Sequence, residues 1–331
     1  MEYVKIKGTD IESSRVGLGA WAIGGWLWGG SEERESIDTI HRALDRGINL
    51  IDTAAIYGFG RSEEIVGKAV EEYGGRDKIV IATKGGLDWT TGKVFRNSER
   101  MRLRKEVEDS LRRLRTDYID IYQIHWPDYE TPIEEAALAM KELLDEGKIR
   151  AIGVSNYTCE QKDVFRANSP LHTSQPPYNM FERGIEDEIM PYCNTHGITM
   201  LLYGAICRGL LSGRMRVDTK FEGDDIRKVD PKFEQPRFGR YLSAVDKLDK
   251  FAQENYGKQV IHLAMRWVLD TARGHIALWG ARRPSQLDPI EGMFGWTLDS
   301  EALAQIDTIL AETIKDPVGP EFMAPPTSGR K

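Results

Sequence analysis

Four polar residues, each closing or following a short apolar run, are the ones able to do chemistry together: Asp52 and Tyr57 in LIDTAAIYGFG, Lys84 at the end of KIVIATK, and His125 at the end of YIDIYQIH. An unperturbed phenol has a pKa of about 10, too weak an acid for efficient proton donation near neutrality, and an adjacent cation moves that value down. Lysine therefore makes tyrosine usable, and an aspartate offsets the cost of holding the ammonium out of water. A histidine nearby supplies a hydrogen bond that holds and polarises a carbonyl oxygen while another reactant attacks its carbon. The set contains no serine or cysteine activated by a base and no ligand cluster suited to a metal, so what it offers is a proton. Taken singly, each residue has an ordinary structural reading: a turn cap for Asp52, a loop residue for Tyr57, a lysine reaching solvent for Lys84, a rim histidine for His125. Their recurrence at the ends of consecutive apolar runs favours one shared site.

The elements that would have to gather them can be read from the same runs. Eight strand-like segments recur, RVGLG, INLID, KIVIATK, YIDIYQIH, IRAIGVSN, TSQPPYN, ITMLLYG and HIALWGA. Several are apolar almost throughout, as expected of parallel strands covered by helices. Between them lie segments with helical spacing and acidic first turns, at residues 31–47, 61–74, 106–117, 132–148 and 184–197, with Gly47, Gly74, Gly147 and Gly197 at their expected ends. Eight strand-helix units predict a single-domain (β/α)8 TIM barrel over residues 1–331, in which all strand ends point to one mouth. A doubly wound open sheet is the competing architecture, but GLGAWAIGG lacks the following acidic residue of a dinucleotide fingerprint. Residues 206–241 form an interval too long for a minimal strand-to-helix loop after the seventh strand, and long loops of that kind are commonly functional. The proline-rich tail KDPVGPEFMAPPTSGRK cannot be regular helix and is placed to cover one mouth of the barrel.

Lys and Arg number 45 and Asp and Glu 52, a formal charge of −7, which argues against a general nucleic-acid binder. Three cysteines, Cys159, Cys193 and Cys207, form no paired framework, which suggests a reducing compartment and no structural zinc. With no signal-peptide core or membrane-length apolar stretch, the expectation is a soluble cytoplasmic protein, monomeric or weakly self-associating, acting on a small molecule.

The blocks GINLIDTAAIYGFGRSEEIVGKAV, IVIATKGG, DYIDIYQIHWPD and GKIRAIGVSNYT resemble the signature blocks of the aldo-keto reductase superfamily, and SQPPYN, YGAICRGLLSGRM and LWGARRPSQLD resemble its cofactor-binding blocks. The similarity covers nearly the whole chain and is closest to the bacterial branch of general-stress and glyceraldehyde/glycerol-type reductases. It implies a (β/α)8 barrel that uses NADP(H) to reduce aldehydes and ketones reversibly, with Tyr57 as proton donor among Asp52, Lys84 and His125. The nicotinamide amide is implied near Ser155, Asn156 and Gln175, with Tyr203 stacked on the ring. For the pyrophosphate the resemblance implies the segment of Gly204, Ala205, Ile206 and Cys207, with charge from Arg208, Arg214 and, further on, Arg227. Gly280, Ala281, Arg282 and Gln286 follow the eighth strand, where an arginine fork suits the 2′-phosphate of NADP. Ala20, Trp21 and Asp52 complete the implied cofactor contacts. Many family members carry proline and a lysine or serine where this chain has Trp279 and the Arg282-Arg283 pair. Trp21, Trp89 and Trp126 suit an apolar slot around a carbonyl carbon, whereas Trp26 and Trp28 read as loop anchors. Two other readings remain: a redox-reporting NADP(H)-binding subunit like the channel-associated members of the superfamily, and a metal-dependent barrel hydrolase or isomerase.

Overall fold

Each of the eight runs forms a parallel strand: β1 (Val16–Gly19), β2 (Leu50–Asp52), β3 (Val80–Gly85), β4 (Ile119–Ile124), β5 (Ile149–Ser155), β6 (Thr173–Gln175), β7 (Thr199–Leu202) and β8 (Ile276–Gly280). In this computed structural model, which describes residues 1–327, every strand pairs with the next and β8 closes on β1. The last four residues of the tail, Ser328 to Lys331, lie outside the described residues. Register fixes which side chains share the interior, because partners in neighbouring parallel strands face the same way. Asp52 pairs with Ala82, Lys84 with Gln123, and Gly280 with Gly19.

The barrel interior holds a small apolar core that includes Leu50, Val80, Ile121, Leu201 and Ile276. Ile6 and Ile11 join it from an amino-terminal hairpin, Tyr3–Lys5 with Glu12–Ser14, and plug the end opposite the candidate site. The larger core lies outside the strands, where helices bury their apolar stripes. These helices are α1 (Glu33–Asp45), α2 (Arg61–Tyr73), α3 (Arg100–Leu114), α4 (Ile133–Asp145), α5 (Cys159–Asn168), α6 (Ile189–Thr195), α7 (Arg237–Tyr256), α8 (Val260–Thr271) and α9 (Ser300–Thr313). Gly47, Gly74, Gly147 and Gly197 stand just past α1, α2, α4 and α6 with φ between +65° and +81°, where a residue without Cβ turns the chain at little cost.

Three differences from the sequence reading have physical causes. Helix α3 begins six residues before the segment marked by periodicity, because Leu103 is buried while Arg100, Arg102 and Arg104 find carboxylates on neighbouring elements. Helix α6 is only seven residues long, and the acidic stretch before it forms turns. The interval between β7 and β8 contains the long irregular loop and then two helices, α7 and α8, so α7 takes over from Arg237 onward. Among the described residues no helix is long and apolar enough to cross a membrane.

One buried histidine ties strand, helix and loop together. His275, just before β8, accepts the Met200 amide at Nδ1 (3.0 Å) and lies 2.9 Å from Asn194 Oδ1 through Nε2. Burial, with Lys7 and Arg15 nearby, lowers its pKa to about 4. The unfolded chain protonates this group first as pH falls, so its contribution is complete above about pH 6.5 and is lost toward pH 4, an amount on the order of 3 kcal/mol. Denaturant titrations at pH 7 and 4.5 should show this loss, and His275→Asn should flatten the decline by a comparable amount. An unchanged slope in the variant would remove His275 as the cause.

Candidate active site

Three neighbouring strands deliver the polar cluster. Asp52 ends β2, Lys84 lies at the end of β3, and His125 follows the last residue of β4, so all three reach the carboxyl-terminal mouth. Tyr57 comes from the turn after β2. Lys84 Nζ is 2.6 Å from Asp52 Oδ1, 2.8 Å from the Thr53 carbonyl and 3.4 Å from the Tyr57 hydroxyl. These three partners match its three hydrogens. The second oxygen of Asp52 accepts from Gln175 Nε2 at 2.7 Å, which brings β6 into the same network. The Tyr57 ring stacks on Trp21 at a centroid distance of 5.8 Å and meets His125 edge-on at 5.7 Å.

The electrostatics correct one sequence expectation. Burial, then the Asp52 charge, hold the Tyr57 phenol well above its usual value, so the lysine does not acidify it in the resting site. Desolvation outweighs the adjacent cation, and the phenol keeps its proton at neutrality. Burial also lowers the Lys84 ammonium, with Asp52 opposing. Burial and Lys84 together push the His125 imidazole well below its usual value, which leaves a neutral ring with one N–H to donate.

A cleft of about 310 Å³ opens over this cluster. Along one wall, Ser155 Oγ donates to the Gln175 carbonyl (2.8 Å), and Asn156 Nδ2 donates to Ser155 Oγ (3.0 Å) and to the His125 carbonyl (3.1 Å). The Tyr203 hydroxyl donates to Asn156 Oδ1 at 3.0 Å. Four successive strand ends, β4 to β7, are thereby fixed against one another.

The far side of the cleft is made by two loops zipped together. Asp224 of the long loop accepts the amides of Leu27 (2.7 Å) and Gly29 (3.0 Å), and Ile226 N donates to the Leu27 carbonyl. Arg282 Nη1 donates to the carbonyls of Trp28 and Gly30. Cys207, Arg208 and Gly209 are consecutive left-handed residues, φ +46°, +53° and +88°, a strained backbone for the two that are not glycine. Arg208 holds it in place from below, where its guanidinium is buried against Glu182 and Asp230 (2.6 Å to the latter), with Lys232 also 2.8 Å from Glu182.

Several sequence-assigned residues therefore sit elsewhere than expected. Arg208 does line the cleft, but its guanidinium is paired with Glu182 and Asp230 and anchors the loop. Cys207 is buried, and Arg214 is exposed and away from the cleft. Ala20 lies behind the wall, where Gly19 and Trp21 face the cleft instead. Trp89 packs on Phe59 and under the Arg102 guanidinium rather than on the cleft, while Trp26 and Trp28, read as anchors, line it. Lys84 acts from beneath Tyr57. Tyr57, His125, Trp126, Ser155, Asn156, Gln175 and Tyr203 all line the cleft, as do Gly204, Ala205, Ile206, Arg227, Gly280, Ala281, Arg282 and Gln286. Glu182, after β6, and Asp230 and Lys232, in the long loop after β7, were missed, and their only signal was charge within loops of mixed composition.

The loop side suits an anionic ligand. Trp28 lines the cleft, its buried Nε1 has no hydrogen-bond partner, and the guanidinium of Arg227, paired with Asp225, lies 5.3 Å over its ring. Burial, then Arg283 and Arg227, lower the Arg282 pKa, the sign of crowded positive charge that an anion would relieve. A Cβ on Gly280 would meet nothing within 4 Å, so backbone is open to a ligand there. Among the described residues no group of three or more His, Cys, Asp or Glu is placed to hold a metal.

A closed eight-stranded parallel barrel that gathers ionisable side chains at its carboxyl-terminal mouth is a framework of enzymes. The chain belongs to the aldo/keto reductase family, whose sequence model matches residues 15–311. It is 62% identical over 327 residues to aldo-keto reductase YhdN of Bacillus subtilis (strain 168), covering 99% of each chain. Among solved structures, the glycerol dehydrogenase AKR11B4 from Gluconobacter oxydans matches with a TM-score of 0.88 and 53% identity, covering 97% of this chain and 99% of that one. An aldo/keto reductase from Klebsiella pneumoniae, solved in complex with NADP and acetate, matches with a TM-score of 0.72 and 26% identity over 93% of this chain and 95% of that one.

The Lys84–Asp52 pair yields a stability test. Lys84→Met leaves the carboxylate buried with one donor fewer, a change that typically costs roughly 3–5 kcal/mol. Lys84→Met combined with Asp52→Asn should lose less than Lys84→Met alone in chemical denaturation, because the stranded charge is gone. Additive losses would show that the two residues contribute independently.

Proposed function

We propose that the protein is an NADP(H)-dependent reductase of aldehydes and ketones that also oxidises the corresponding alcohols. The observation that carries this reading is the Tyr57 hydroxyl, held 3.4 Å from the buried Lys84 ammonium, with His125 beside it at the floor of a cleft. When bound, the nicotinamide supplies hydride to the carbonyl carbon and takes it back in the reverse direction. The protein's own residues handle the oxygen and its proton. His125, neutral, donates one N–H to the substrate oxygen and orients it without competing as an acid. Tyr57 holds its proton until negative charge develops on that oxygen and then gives it up, and Lys84 stabilises the phenolate left behind. Asp52 keeps Lys84 charged and directed at Tyr57. Ser155, Asn156, Gln175 and Tyr203 offer a polar wall for the nicotinamide end. The loop amides and the Arg227–Arg282 region suit its phosphates. The family's use of NADP, and a relative crystallised with it, support the same assignment. Small uncharged carbonyl compounds are the fitting substrate class, since a cleft lined by Trp21, Trp126 and Ile56 favours apolar surface beside the reacting group.

Tyr57→Phe should lower kcat for reduction by roughly 10²- to 10⁴-fold with NADPH affinity unchanged. Because the phenol lies above its usual range and the imidazole below, the wild-type reduction rate should stay level from about pH 6.5 to 9, while alcohol oxidation rises with pH. Steady-state assays of cofactor absorbance check both, and unchanged turnover in the variant removes Tyr57 from the reaction. For the cofactor, Arg282→Gln should raise the KM for NADPH by roughly 10- to 100-fold, the loss of a charge-assisted hydrogen bond, and leave that for NADH within a few-fold. Equal effects on both cofactors would place Arg282 away from the 2′-phosphate.

A further inference from the structure

The substrate end of the cleft is assembled from three segments that share no strand. Leu87 and Val94 come from the small hairpin of Leu87–Asp88 and Phe95–Arg96, Trp126 from the loop after β4, and Met323 and Pro325 from the carboxyl-terminal tail. One side chain touches all three. Arg96 belongs to the hairpin and is 5% exposed; its Nε donates to the Pro325 carbonyl at 3.1 Å and its Nη1 to the Pro127 carbonyl at 2.9 Å. The guanidinium also lies 5.1 Å over the Trp126 ring and 5.4 Å over that of Tyr129.

The tail needs such a tether. Apart from one 3-10 turn at Glu321–Met323 its described residues have no regular structure, and its prolines cannot donate hydrogen bonds. Upstream it is held where Lys232 Nζ donates to the Gly319 carbonyl (3.1 Å) and Arg208 lies 5.4 Å from the Phe322 ring centroid. Those contacts fasten it on the long-loop side of the mouth. At the other end, Arg96 joins it to the hairpin and to the loop after β4. A segment with so few contacts of its own opens at low free energy when a tether is lost.

We propose that Arg96 is a positioning residue for substrate binding: it seats the tail against Trp126 and so builds the wall formed by Met323 and Pro325. Its planar fork reaches two carbonyls at once while its face stacks on an aromatic ring, a combination a lysine ammonium cannot reproduce. The catalytic cluster lies on β2, β3 and β4 and does not depend on it. This inference rests on the reductase reading for its kinetic test, and the following experiment separates the two.

Arg96→Met, Arg96→Lys, Met323→Ala and the double variant Arg96→Met/Met323→Ala are compared as full-length chains, using a short aldehyde with NADPH. Expected are a roughly tenfold rise in aldehyde KM for Arg96→Met, kcat and NADPH KM within about twofold, and an intermediate KM for Arg96→Lys. Met323→Ala should raise KM in the wild-type background and add nothing to Arg96→Met. Amide hydrogen exchange at Phe322, Met323 and Ala324, measured without substrate, should quicken in Arg96→Met while the barrel strands stay protected. Unchanged exchange and KM overturn the proposal, as does Met323→Ala raising KM by the same factor in both backgrounds. A wild-type chain that reduces no aldehyde defeats the reductase reading alone, and the exchange measurement still decides whether Arg96 seats the tail.

Discussion

A lysine ammonium buried at the mouth of a barrel is the constraint around which the rest is arranged. Lys84 is 1% exposed, and its hydrogens go to Asp52, a backbone carbonyl and the Tyr57 hydroxyl. Leaving that charge in place requires a carboxylate on the neighbouring strand, and the carboxylate in turn requires the Gln175 amide from across the mouth. Three strand ends, those of β2, β3 and β6, are thereby committed to one geometry. Tyr57 inherits its position from this arrangement, and its proton is held first by burial and then by the Asp52 charge.

The strands were legible because a parallel strand covered on both faces is apolar almost throughout, so a polar residue at its end stands out. Asp52, Lys84 and His125 were visible for that reason, and Tyr57 because it closely follows Asp52. What sequence adjacency did not convey was the balance of terms. A lysine beside a tyrosine suggests an acidified phenol, yet desolvation acts on the whole cluster and dominates the phenol. That term depends on how completely the side chains are enclosed, which no spacing rule reports.

Arg208 shows a second limit. Read along the chain it is a free cation in a glycine-containing loop, suited to a phosphate. In the fold its partners are Glu182, contributed from beyond β6, and Asp230, from further along the same loop, and together they hold a left-handed backbone in place. The tryptophans erred in the opposite direction: Trp26 and Trp28 line the cleft and Trp89 does not, because loop course decides which face of a ring meets solvent. Strand-borne residues were placed well by periodicity, whereas loop-borne ones depended on ion pairs with distant segments.

Where β1 meets its neighbours, the interior carries almost no side chain. A Cβ on Gly17 would fall 2.4 Å from Leu50 and 2.9 Å from Leu278, while Gly19 and Gly280, partners across the closing seam, both face the cleft. Bare peptide thus forms the cup on this side, with leucines from two strands meeting across the gap below it. Below the cup, bulk added at Gly17 collides with the packed interior. At its rim the opposite holds: Gly280 has open space where a Cβ would stand, so a side chain there would narrow the recess without disturbing the packing beneath.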